Sequence, residues 1–355
     1  MNKFSKFALV AALATTTLAG CGSSGDSKKD DSTCSIRIGF VTDTGGVDDK
    51  SFNQGSWEGI KKYAKDNNLD ESCIKYLQSK SESDYEPNLS QLAEDKFDLV
   101  VAAGYLFDNA MTKVADNYPD TKFFVIDTVV AKDNVESGVF AAEQGSYLAG
   151  MAAALQAKSQ GSDSVGFIGG TESELIQAFQ AGFEQGAKAV DPNMKVTIDY
   201  AGAFDKPDTG QTLAEKQYAA GVSVIYHAAG GTGGGVIKAG IARAEKGEKV
   251  WVIGVDRDQY TDGVYGKDKK SVILTSALKK VDTATYNAAQ SVVDKTYKGG
   301  STVTFDIKND GVGIPAENPN LSKEILTQLE TAIKEMKDGK IEVSKTPSIP
   351  TGSTK

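Results

Sequence analysis

Residues 36–53, IRIGFVTDTGGVDDKSFN, decide how the rest of the chain is read. Ile36, Ile38, Phe40 and Val41 form an apolar run that ends at Thr42 and Asp43. Two glycines follow, then Asp48 and Asp49, then Ser51-Phe52-Asn53 at the start of a helical pattern. A strand ending in a carboxylate, a glycine turn and a helix start together make a βα junction. Ligand sites of open α/β sheets lie outside the carboxyl ends of such strands. The stretch therefore reads as one half of a small-molecule site, and its partner has to come from another strand end.

Outward from this stretch the same rhythm continues. Strands are expected over 36–42, 74–77, 99–103, 123–126 and 139–141, with helices over 52–67, 84–94, 108–117 and an alanine-rich 144–159. Trp57, Ile60 and Ala64 share one helix face, and Leu89 and Leu92 point inward from the next. The alternation then restarts, with strands at 165–168, 195–200, 224–227, 251–255, 273–276 and 302–306. The helices between and after them are 174–190, 209–220, 233–245, 281–296 and 322–338. Strand and helix alternating twice over predict an α/β protein of two doubly wound parallel sheets. No short fixed period recurs, which excludes a solenoid.

The first 20 residues stand outside this pattern. Lys3 and Lys6 precede a short apolar run, and Leu18-Ala19-Gly20-Cys21 follows it. Small residues before a cleavage point suit a signal peptide, and the four residues resemble a bacterial lipobox, whose cysteine becomes the lipidated first residue. Residues 21–33 are small and polar, as in a flexible tether. Beyond them about 320 residues remain, enough for two lobes. The chain carries 39 Lys and Arg against 48 Asp and Glu, a net charge of -9. Removing the two N-terminal lysines takes this from -9 to -11. An acidic chain without basic clusters argues against nucleic acid as a partner. Cys34 and Cys73 each lie just before an expected strand, and neighbouring parallel strands would place them side by side. A Cys34–Cys73 disulfide is expected, with two free thiols as the other reading.

Three further strand ends join Asp43. They are Asp127 after Phe-Phe-Val-Ile, the run Ala228-Ala229-Gly230-Gly231-Thr232-Gly233-Gly234-Gly235, and Asp256 after Val-Ile-Gly-Val. Phe204 adds an aromatic after another strand. Taken one at a time, the aspartates also suit helix caps or turns, and Phe52 and Phe204 suit the core. Three aspartates after well-formed apolar strands favour one shared crevice. Asp48 and Asp49 belong in solvent or at the helix start, where negative charge is favoured, and their spacing from Asp43 does not match an EF-hand. The glycine run has no GxxxxGK[ST], so it is not a P-loop, and it lies too deep in the chain for a dinucleotide fingerprint. Its plain reading is close backbone approach to a ligand or a neighbouring element. With one histidine, His227, no CxxC and no GxSxG, neither a metal site nor a nucleophile is indicated. His227 reads as a packing residue near the end of an apolar strand.

These residues resemble the basic membrane protein family of bacterial lipoproteins, the nucleoside-binding receptors of ABC transporters. The resemblance rests on Gly39 to Asp43, Asp49 to Gln54, Ala228 to Gly233, Gly254 to Gln259 and Thr275 to Lys279, in that order. It implies a type I periplasmic-binding-protein fold, with two lobes, three crossovers and a ligand held between them. The lobes are expected at 35–142 with 276–303, and at 143–275 with 304–345, leaving 346–355 as a tail. It also implies roles. Phe52 and Phe204 stack on a base; Asp43, Asn53 and Asp127 bond its edge; Asp256 accepts from ribose hydroxyls; Gly230 offers backbone and Lys279 donates to the sugar. The expected protein is a monomer with no cofactor, held by lipid on the extracytoplasmic face of the cell membrane. It passes a nucleoside, a purine nucleoside such as adenosine, guanosine or inosine, to a permease and its ATPase. The competing readings are a receptor for a free pentose or other small polar metabolite and, more distantly, a nucleoside-cleaving enzyme.

Overall fold

The computed structural model describes residues 34–350, so the expected signal peptide, tether and Cys21 lie outside the described residues. The first half of the chain runs β1 (Ile38–Val41), α1 (Phe52–Asp66), β2 (Ile74–Leu77), α2 (Tyr85–Glu94), β3 (Leu99–Ala103), α3 (Asp108–Asn117), β4 (Lys122–Ile126) and β5 (Val135–Phe140). After the long α4 (Ala142–Ser159) come β6 (Ser164–Gly169), α5 (Glu174–Val190), β7 (Lys195–Tyr200), α6 (Pro207–Ala219), β8 (Val224–Ala228), α7 (Gly231–Ala244) and β9 (Trp251–Asp256). A two-strand hairpin, β10 (Val264–Tyr265) and β11 (Lys270–Ser271), precedes β12 (Ile273–Lys279), α8 (Val281–Val293), β13 (Thr302–Phe305), β14 (Val312–Gly313) and α9 (Lys323–Lys337).

Among the described residues these strands form two six-stranded sheets of matching order, β2-β1-β3-β4-β5-β13 and β7-β6-β8-β9-β12-β14. Within these two sheets every pairing is parallel except that of β14 with β12, and the separate β10–β11 hairpin is antiparallel. The strand order reverses between β1 and β3 in one sheet and between β6 and β8 in the other, which sets a crevice at each point. The chain passes from one sheet to the other three times, as expected. β12 stays in the second sheet through Lys279, however, and β13 stays in the first through Phe305. The second and third passes therefore fall later than the 275/276 and 303/304 divisions read from the sequence.

Other departures have local causes. β5 begins at Val135 rather than 139, because Glu136 and Ser137 are buried strand residues whose polarity hid the strand. The Ser137 hydroxyl accepts from the Val130 N–H at 3.1 Å, which makes its burial tolerable. α4 is buried along most of its length and packs on α5, where glycines permit helix contact. A Cβ at Gly182 would stand 2.1 Å from the Glu143 carbonyl oxygen. Residues 346–350 are not a free tail. The buried Glu184 carboxylate accepts from the Ser348 N–H and hydroxyl, both at 2.7 Å, and Ile349 is buried. Cys34 and Cys73 form the disulfide, with a Cα–Cα distance of 5.6 Å, at the pole of the first sheet opposite its carboxyl strand ends.

Candidate functional site

The carboxyl ends of the two sheets face a common cavity, where ligand sites of open α/β sheets form. All eight residues expected from the sequence line it: Asp43, Phe52, Asn53, Asp127, Phe204, Gly230, Asp256 and Lys279.

The first sheet's contribution is built around the start of α1. Asp49 takes the N–H groups of Ser51, Asn53 and Gln54 at 2.9, 2.9 and 3.0 Å, so it caps the helix that presents Phe52. Asp49 is buried, while its neighbour Asp48 is exposed. The Asn53 amide is fully engaged: its Oδ1 accepts from the Asp43 N–H at 3.1 Å. Its Nδ2 donates to Asp43 Oδ1 at 2.7 Å and to Asp49 Oδ2 at 2.9 Å. Gly45 N–H adds a 2.8 Å bond to Asp43 Oδ1. Asp43 Oδ2 is left beside Gly104 and the edge of the Phe52 ring.

The second sheet answers with Phe204, Gly230 and Asp256. Phe204 lies over Gly170, where any side chain would strike its ring. Its loop is fastened by Thr232, whose N–H donates to the Phe204 carbonyl and whose hydroxyl donates to that of Ala203, both at 2.9 Å. Here the glycine run makes the close approach to neighbouring elements read from the sequence. α7 starts at Gly231, two residues before the expected 233, and Gly233 and Gly235 let it approach its neighbours. A Cβ at Gly235 would lie 1.7 Å from the Pro207 carbonyl oxygen, and one at Gly233 would meet the His227 ring. Gly230 alone keeps a left-handed conformation, at φ 53°. His227 is buried beneath, with neither ring nitrogen hydrogen-bonded. Burial pushes its pKa down to about 4, against the effect of the nearby Gln259 amide.

Two polar contacts cross the cavity between sheets. Lys279 ends β12 and pairs with Asp127, which follows β4; both side chains are under 5% exposed. The ammonium also lies over the rings of Phe52, Phe140 and Phe179 at 4.5, 5.1 and 5.9 Å. Asp127 Oδ2 holds the lysine, and Oδ1 is buried without a hydrogen-bond partner. The Ser51 hydroxyl donates to Asp256 Oδ2. Asp127 and Asp256 both adopt left-handed backbone, at φ 71° and 67°, a conformation aspartate tolerates better than most residues. Sequence reasoning missed the Ser51 bond to Asp256 and, among the lining residues, Tyr105, Leu106 and the apolar wall of Leu175, Ile176 and Phe179 from α5. An amphipathic helix face gives no sign of whether it meets core or cleft.

Burial raises the pKa of three of the cavity's carboxylates. Burial, then Asp49, pushes the Asp43 pKa up to about 7. Burial pushes Asp256 up to about 6, against the pull of Lys279 and Ser51, and it raises Asp49 as well. Each group binds its proton more tightly folded than unfolded, where an aspartate titrates near 4. The stability this contributes is complete below about pH 4 and is lost as pH rises through about 6 for Asp256 and about 7 for Asp43. We expect a higher melting temperature at about pH 5.5 than at about pH 8, and a smaller difference in Asp43→Asn. Equal differences in wild type and variant would exclude Asp43 as the source.

Comparison with known proteins agrees with this geometry. A family model described as ABC transporter substrate-binding protein PnrA-like matches residues 36–347. A CD4+ T-cell-stimulating antigen of Listeria innocua is 40% identical, over 93% of this chain and 95% of its own length. The ABC transporter nucleoside-binding protein BmpA of Lactococcus lactis is 38% identical, over 94% and 96%. The crystal structure of a solute-binding protein of an ABC transporter system from Aeropyrum pernix superposes with a TM-score of 0.77 at 26% identity, over 88% of this chain and 94% of that one. Two parallel-dominated sheets with interleaved helices, closed on a shared cavity, are the type I periplasmic-binding-protein fold. The chain belongs to the Bmp family of ABC transporter substrate-binding proteins, which bind their substrates and do not transform them.

Proposed function

We propose that this protein captures a nucleoside between its lobes, a purine nucleoside such as adenosine, guanosine or inosine, and delivers it to a membrane permease and its ATPase. The observation that carries the reading is the mixture of groups on one cavity. Two phenyl rings, Phe52 and Phe204, come from opposite lobes, and carboxylates stand beside both. Flat π-faces suit a base, and unsatisfied carboxylate oxygens suit its N–H donors and the hydroxyls of a sugar. The further apolar wall of Leu175, Ile176 and Phe179 favours a base over a free pentose. The name of the Lactococcus relative points the same way.

In this reading Asp43 and Asp127 accept from the base edge, and Asn53 both lines the cavity there and fixes Asp43 in place. Asp256 accepts from ribose hydroxyls, Gly230 lends its backbone, and Lys279 directs a remaining donor to the sugar. Capture is a hinge closure with no covalent step. The protein acts as a monomer, held at the extracytoplasmic face of the cell membrane by lipid on Cys21. Among the described residues no helix is long and apolar enough to cross a membrane.

Calorimetry with inosine, adenosine and guanosine tests the function directly. Wild type should bind at least one, and Asp256→Ala should bind about 100-fold more weakly through loss of a charged acceptor. Unchanged affinity in the variant would reject the ribose assignment. A co-purified ligand that mass spectrometry shows to lack a base would reject the nucleoside.

A further inference from the structure

Gln259 lies outside the residues that line the cavity, yet it bridges the two lobes. It is 1% exposed, and three of its polar groups are already committed within the second lobe. Its Oε1 accepts from the Val255 N–H at 2.9 Å, its own N–H donates to Ser276 Oγ at 3.1 Å, and its carbonyl accepts from the Asp262 N–H at 2.9 Å. Gly254 leaves room for this arrangement, since a Cβ there would stand 2.6 Å from Gln259 Oε1. The side-chain amide nitrogen reaches across to the Lys50 carbonyl at 2.9 Å. Lys50 holds left-handed backbone, φ 56°, one residue before the Ser51 that bonds Asp256. The Lys50 ammonium adds only a half-exposed approach to Asp262 at 3.6 Å, a weak contact in water.

We propose that Gln259 is a positioning residue for capture: its amide clasps the Lys50 carbonyl when the lobes close and so sets how long the ligand stays. The clasp rests on the reading of the cavity as a capture site. Its physical basis is preorganisation. The glutamine is ordered before closure, so the cross-lobe bond forms without freezing a mobile side chain. Because the bond exists only in the closed form and touches no ligand atom, its loss acts on release and leaves encounter unchanged.

The test uses Gln259→Glu, which keeps the acceptor for Val255 but faces the Lys50 carbonyl with an oxygen. Inosine dissociation, followed by stopped flow, should quicken by about tenfold, with association within about twofold of wild type. The unliganded melting temperature should hold. Equal dissociation rates overturn the proposal, as does an affinity loss that comes with slower association and a fallen melting temperature. If wild type binds no nucleoside, the capture reading fails separately and solution scattering still decides the clasp. A larger radius of gyration for the variant supports it, and superimposable profiles overturn it.

Discussion

Asp127→Ala is expected to weaken inosine binding by about 100-fold or more while leaving the melting temperature of the unliganded protein nearly unchanged. The partner left behind is the Lys279 ammonium, under 5% exposed and ringed by Phe52, Phe140 and Phe179. Removing one member of such a pair costs about 3–5 kcal/mol, because the other charge stays buried and unpaired. Here the pair spans the lobes, so opening the cleft returns the lysine to water. The penalty should fall on closure and not on the folding of either lobe. Asp127→Ala with Lys279→Met should recover part of the closure energy while still lacking the acceptor for the base. Calorimetry and thermal melts on the single and double variants measure both terms. A melting temperature that collapses in the single variant would show that the pair holds the fold itself.

A nucleoside 5′-monophosphate is expected to bind at least about 1,000-fold more weakly than its nucleoside. The cavity is lined by four carboxylates, Asp43, Asp49, Asp127 and Asp256, against one cation, Lys279, which Asp127 already engages. At an effective dielectric of ~20, like charges ~7 Å apart repel by about 2 kcal/mol, and a phosphate brings more than one charge. The phosphate also loses its hydration on entry. The raised pKa values of Asp43 and Asp256 soften the repulsion at low pH, so discrimination should narrow toward about pH 5. Competition of inosine monophosphate against inosine at two pH values checks this. Comparable affinities would mean that the carboxylates do not face the ligand.

How far the sequence reveals this site depends on what each residue does locally. Asp43, Asp127 and Asp256 are legible because they recur together at the ends of apolar parallel strands, where three carboxylates converge though any one alone could be a cap. Lys279 is legible only through family resemblance. Strand β12 was expected to stop at 276, since the run to a lysine does not alternate or stay apolar. Leu175, Ile176 and Phe179 obey the same periodicity whether they face a core or a cleft. The glycine run is legible as a place of close approach, but its composition alone does not say that α7 begins at Gly231 and packs on Pro207 and His227 there. Ile349 gives no local sign of burial, since its docking depends on Glu184, over 160 residues away. Periodicity thus recovers both sheets, whereas contacts made between distant elements stay hidden.

The left-handed backbone at Asp127, Gly230 and Asp256 bears on how this receptor can change its diet. At such positions glycine, asparagine and aspartate are accepted most readily, and β-branched or bulky side chains are strained. Of the eight positions predicted from the sequence, these three therefore have a small chemical vocabulary. New specificities within this scaffold should arise first at the unconstrained wall, at Leu175, Ile176 and Phe179, and last at the strand-end aspartates. A selection for altered ligands would show that order in the positions it enriches.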